Sequence, residues 1–243
     1  MGMHSKRLEI PQHVLAAFQL EGKGVAVGAP WDYGLRFRRV VVSPAAETAA
    51  WSGKVRERIA GQSASLRVSR PVRATDGRLV VGGFAANEFG EGAPAARIDE
   101  AIAAALVFDE LLDGIEAPSA PSRPNPWATA DRTVWAGERI TGDRVVAHLD
   151  FLSCCLFDGT NPPMLSALVP SLDLRPKGFT AALVIVDGLL ADAIDAKVLQ
   201  RWELVPNLRA LARKAFDYRE ASQLLDDSNV RSNFVRVAQL LSD

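Results

Sequence analysis

Residues 144–159 read RVVAHLDFLSCCLFDG, and several of them have side chains that could do chemistry. His148 can exchange a proton near neutral pH. Two residues on, Asp150 can accept a proton from a hydroxyl group. Cys154 and Cys155 follow, where a working loop would want a polar ligand. The same pattern also suits a plain β-hairpin, in which Asp150 is a turn residue and His148 a hydrogen-bonded structural histidine. His4, His13 and His148 are the only histidines and lie too far apart for a zinc site. Adjacent cysteines do not reach disulfide geometry without strain. Their apolar surroundings make Cys154 and Cys155 read as buried free thiols.

A second candidate is the loop from Gly28 to Gly34, GAPWDYG. Its glycines and Pro30 mark it as irregular, and Trp31 is the side chain on it to test as a ligand or partner contact. The remaining tryptophans, Trp51, Trp127, Trp135 and Trp202, read as core. Gly22 and Gly24 give a faint dinucleotide-like signal without the strand–turn–helix context that motif needs; they read as a turn leading into a strand.

The elements that must position these residues follow from periodicity. Pro11–Leu20 predicts a short helix with Val14, Leu15 and Phe18 on one face. Short strands are predicted at 24–27, 34–37 and 39–43, then a helix over 45–60 ended by Gly61. A strand pair over 65–72 and 78–84 has its hairpin turn at Thr75–Gly77. Arg97–Ile115 is a strong amphipathic helix. The segment 117–126 holds four prolines and predicts a linker or surface loop; 125–137 is a weaker helix. The apolar run from Phe179 predicts a buried helix, followed by a helical tail. The sum is an α+β chain: a small β-rich N-lobe over residues 1–89 and a larger helical C-lobe over 90–243.

Composition narrows the partners. Lys and Arg total 28 against 29 Asp and Glu, so no basic excess exists to neutralise nucleic-acid phosphates. Arg36, Arg38 and Arg39 read as a solvated strand face. The opening residues lack the apolar core of a signal peptide, and the run from Phe179 is broken by Asp187 and Gly188, too short to span a bilayer. With no spaced cysteine pairs, the expectation is a cytoplasmic protein.

Taken with PxxVLAAF at Pro11, GxPWDYG at Gly28, VVVSPAAETAAW ending at Trp51, NPWATADRTVWAGE at Asn125 and LRPKGFTAALVIVDGLL after Leu174, the histidine–aspartate loop resembles the aminoglycoside-phosphotransferase and choline-kinase branch of the kinase-like fold. More narrowly, it resembles an uncharacterised actinobacterial family of that branch. The resemblance implies a bilobal kinase-like fold with a nucleotide cleft between the lobes. It also implies a proton-accepting Asp at Asp150, with His148 holding the loop. The remaining positions depart from the pattern. Leu149 stands where the branch has Gly, Cys154 where it has a metal-binding Asn, Ala167 where it has the second metal Asp, and Ser43 where it has the strand lysine. Glu47 matches the helix Glu that would pair with that lysine. Gly28, Trp31 and Gly34 fall on the loop that would cover the phosphates.

These losses act on one charge, because magnesium needs hard oxygen ligands and phosphoryl transfer relies on the metals and the lysine. The reading is therefore a degenerate kinase-like protein with no metal site and no cofactor expected. It would serve as a module binding a protein partner or small ligand in the interlobe cleft. The alternative is an active ATP- and magnesium-dependent phosphotransferase of small molecules. That enzyme would need Asp173 or Asp158 for metal and Arg36 or Arg38 in place of the lysine.

Overall fold

A computed structural model describes residues 8–120, 126–138, 140–222 and 228–242. The first helix, α1 (Gln12–Ala17), precedes a six-stranded antiparallel sheet made of β1 (Val25–Ala26), β2 (Leu35–Phe37), β3 (Val40–Pro44), β5 (Pro71–Val72), β6 (Val80–Val81) and β7 (Phe84–Glu88). Strand order is β1-β2-β3-β7-β5, with β6 on β7 as well. The β-branched run Val40–Val42 occupies the middle, where such side chains pack well. Helix α2 (Ala49–Ile59) lies between β3 and β5 in sequence. It begins later than its apolar pattern predicts, because Pro44 stays in the ladder opposite Phe84.

The predicted turn at Thr75–Gly77 forms, with the Gly77 N–H on the Ala74 carbonyl and the Ala74 N–H on the Arg78 carbonyl, but the predicted strand pair is corrected: β5 and β6 on either side pair with β7 and not with each other. The hairpin sits instead at Gly82 and Gly83, both at positive φ, where Val81 faces Phe84. β4 (Arg67–Val68) leaves the sheet to pair in parallel with β10 (Met164–Leu165), whose other neighbour is β9 (Cys155–Leu156). Such long-range pairings leave no local signal.

Beyond residue 97 the architecture is helical: α3 (Ile98–Leu111), α4 (Pro126–Trp135), α5 (Phe151–Cys154), α6 (Phe179–Leu190), α7 (Val198–Arg201), α8 (Leu208–Ser222) and α9 (Ser228–Leu240). The small ladder of β8 (Arg144–Val145) with β11 (Arg175–Pro176) accompanies them. α6 is buried on every face from Phe179 to Val186, with Thr180 its one polar side chain there, and so it is the axis of this half, packed by α3, α8 and α9. Arg175 is pinned to Asp131 of α4 by two hydrogen bonds of 3.0 and 2.6 Å. Among the described residues no helix is long and apolar enough to cross a membrane.

Candidate active site

The segment after β8 carries His148, Leu149 and Asp150. The His148 ring is wholly buried, edge-on to Phe108 and Phe151. Its Nδ1 accepts the Asp150 N–H at 3.2 Å and its Nε2 donates to the Ala167 carbonyl at 3.1 Å. Burial pushes the imidazole down to about 4, so it is neutral and holds the loop. Leu149 is absent from the residues at positive φ, so the backbone here needs no glycine. Asp150 stands at the start of α5 and lines a cavity of about 520 Å³. Leu149, Leu152, Ser153, Val169, Asp187, Tyr218 and Arg219 share that cavity. Arg219 donates twice to Asp187, at 2.6 Å each. Burial alone would lower the guanidinium; the Asp187 carboxylate outweighs it and keeps Arg219 firmly charged.

The positions that would hold metal do come together. The Cys154 carbonyl accepts both the Ser166 N–H (3.0 Å) and the Ser166 hydroxyl (3.2 Å), which sets Cys154 beside the strand leading to Ala167. Their chemistry is wrong for magnesium. Burial, then the nearby Asp150 and Asp32 carboxylates, raise the Cys154 thiol far above its ordinary value, and Ala167 offers a methyl. The substitute carboxylates are engaged elsewhere: Asp173 with Arg132 at 3.0 Å and Arg175 at 3.6 Å, and Asp158 with Asn161 at 2.9 Å. No group of three or more His, Cys, Asp or Glu side chains able to hold a metal exists among the described residues.

Ser43 is buried on β3 opposite Ala85. Glu47 lies in the turn before α2, outside the helix. Neither Arg36 nor Arg38 replaces the strand lysine. Arg36 stacks 3.7 Å over the Phe89 ring and reaches Glu91 at 3.4 Å, while Arg38 turns the β2–β3 connection at φ 54°.

One buried cation that the sequence did not flag is Arg56 of α2. It donates to the Ser69 carbonyl at 2.9 Å and to Asn87 Oδ1 at 2.7 Å, and its Nε has no partner. Burial lowers it to about 10, opposed by Cys154 and Asp32. A signal did exist: Arg56 follows Ser52 by four residues and Gly53 by three, so it shares a helix face with two small residues that admit the sheet.

The loop from Gly28 to Gly34 forms a short 3₁₀ turn, Ala29–Trp31, that packs directly on α5. Trp31 is only 7% exposed. It joins Val41, Leu156 and Met164 in one apolar cluster, with its ring 5.1 Å from Phe89. This corrects the expectation of an accessible tryptophan on a cleft loop: Trp31 is a core residue between the two halves. Gly34 is required there, since a Cβ would lie 2.5 Å from the Val42 carbonyl. Asp32 follows at φ 51°. Desolvation raises its carboxyl, Arg56 opposes that, and Asp150 adds to it.

No family model and no curated protein matches the chain. Solved structures do. One is the aminoglycoside phosphotransferase from Alicyclobacillus acidocaldarius subsp. acidocaldarius DSM 446, with a TM-score of 0.58 and 12% identity over 99% of this chain and 95% of that one. The chain has the aminoglycoside-phosphotransferase fold. Spectinomycin phosphotransferase, solved with ADP and spectinomycin, also aligns, at a TM-score of 0.48 and 9% identity over 93% of this chain and 97% of that one.

On this aminoglycoside-phosphotransferase fold, the residues singled out from sequence divide into two groups. His148, Leu149, Asp150, Cys154 and Ala167 are gathered around one loop by hydrogen bonds and strand pairing. Gly28, Trp31 and Gly34 close onto that loop from the sheet side. Asp158, Asp173, Arg36 and Arg38 are held by other partners or turns.

Proposed function

We propose that the chain is a degenerate kinase-like protein that does not transfer a phosphoryl group from magnesium ATP, and that it acts as a partner-binding or ligand-sensing module. The observation carrying this reading is the packing of Trp31 against Leu156 and Met164, with its 3₁₀ turn in contact with α5, the helix that ends at Cys154. A loop that covers phosphates needs room beneath it, and magnesium needs oxygen donors. A thiol, a methyl and an indole supply neither. The residues therefore do not fit magnesium ATP. The buried free thiols Cys154 and Cys155 suit a reducing, cytoplasmic setting.

A second reading has one observation in its favour. Asp150 opens onto a cavity walled by Asp187, Tyr218 and Arg219, where the acceptor of an active small-molecule phosphotransferase would sit. Thermal denaturation with magnesium and ATP separates the two. Occupancy at 100 times the dissociation constant adds about 2.7 kcal/mol, or roughly 5–10 °C at this length. The degenerate reading expects no shift. A shift of that size, with ATP-dependent phosphorylation lost in Asp150→Ala, overturns it.

A further inference from the structure

A second cavity, of about 820 Å³, shares no lining residue with the one at Asp150, and nothing in the functional reading above uses it. Its volume lies inside the range of small-molecule sites. The walls are mostly apolar: Leu106 and Val107 of α3, Pro176 of β11, and Trp202, Val205 and Pro206 beyond α7. Leu204, 92% exposed, stands at its edge.

One buried carboxyl group also lines it. Asp109 is 2% exposed; its Oδ2 accepts the Gly178 N–H at 2.7 Å and its Oδ1 the Thr180 hydroxyl at 2.8 Å. Each carboxylate oxygen has a second lone pair, so acceptor capacity remains. The cations of the lining are neutralised. Lys177 pairs with Glu110 at 3.1 Å and Asp113 at 3.6 Å, and Arg201 with Asp99 and Asp195 at 3.2 Å each. Asp143 lines the cavity as well. The lining thus sets three carboxyl groups, Asp109, Glu110 and Asp143, against Lys177 and Arg201, which are also paired to Asp113, Asp99 and Asp195 outside it, so the field favours a positive group.

We propose that this cavity binds a small organic amine with an apolar body, its hydrocarbon against Leu106, Trp202 and Val205 and its ammonium group directed to Asp109. An acid is disfavoured by the same carboxylates, and a neutral alcohol forgoes the charge-assisted bond. The site stands independently of whether Asp150 is catalytic. It adjoins the histidine–aspartate loop, because Thr180 Oγ1, which donates to Asp109, also accepts the His148 N–H at 3.1 Å.

Calorimetric titration of the intact protein with n-octylamine, n-octanol and octanoate tests the proposal. The expected result is saturable one-to-one binding of the amine, at least tenfold tighter than octanoate, with the alcohol between them. Leu106→Trp, which fills the cavity, should abolish amine binding; should that variant not fold, Val107→Phe on the same wall makes the same test. Asp109→Asn should erase the preference for amine over alcohol. Absence of saturable binding, equal affinity for amine and acid, or binding indifferent to both wall substitutions overturns the proposal.

Discussion

The two sides of the loop from His148 to Cys154 are built from opposite materials. Toward the sheet lie Trp31, Val41, Leu156 and Met164, closed together with little exposure and in contact with the helix that carries the buried Cys154 thiol. Toward the helices lie Asp150, Asp187, Tyr218 and Arg219 around a cavity of about 520 Å³. The first side is where the resemblance puts nucleotide and metal, and the second is where an acceptor would sit. The contrast teaches that, while the charged side stays open, the apolar side closes by packing a large ring, whose burial stabilises the closed form. On the other side a charged pair survives, because removing either member would strand its partner.

The comparison can be broken at three points. If the sheet side is core, Trp31→Ala should cost about 3–5 kcal/mol, the usual range for emptying a buried aromatic site, read by chemical denaturation. A cost below about 1 kcal/mol would mean that the loop is a lid over an open cleft. On the helical side, Arg219→Met leaves the Asp187 carboxylate unpaired. Full burial would make that cost about 3–5 kcal/mol; the Asp187 side chain is 19% exposed, so about 2–4 kcal/mol is expected, with most of it recovered in the double variant Asp187→Leu, Arg219→Met. The smallest effect belongs to Arg36→Ala. Its stacking on Phe89 and its surface pair with Glu91 together contribute about 0.5–1 kcal/mol. Under the alternative in which Arg36 replaces the lysine, ATP affinity would fall with it; the structure gives no reason for such a loss.

Much of this was legible in the chain. The apolar run from Phe179 to Val186 reads as an interior helix, and α6 is one. The valines at 40–42 and the spacing Ile98, Ile102, Ala105 mark β3 and α3 with equal clarity. The convergence of Cys154 and Ala167 came from the order of motifs and not from periodicity. Three things were hidden. Trp31 packs on residues more than 120 positions away, and no local pattern encodes that. The residues at Thr75–Gly77 suit a turn and form one, whereas the ladder is set by which strand reaches Phe84. Arg56 was passed over because a charged residue is solvated by default; only the sheet beneath Ser52 and Gly53 makes it a buried tie.

The bonded line from His148 through Thr180 to Asp109 sets two proton counterweights inside one scaffold. Burial lifts Asp109 to about 7 from an ordinary 3.8; its contribution to stability is complete below pH 3.8 and drains away as pH climbs toward 7. His148 sits near 4 instead of 6.5; its contribution is complete above pH 6.5 and drains away as pH drops toward 4. Between those limits the native state binds one proton more at the carboxyl and one fewer at the imidazole, so the opposed slopes, each approaching about 1.4 kcal/mol per pH unit, cancel. Unfolding titrations should find this pair flat from pH 4 to 6.5 in the parent chain, and tilted toward acid lability in Asp109→Asn, where the imidazole acts alone.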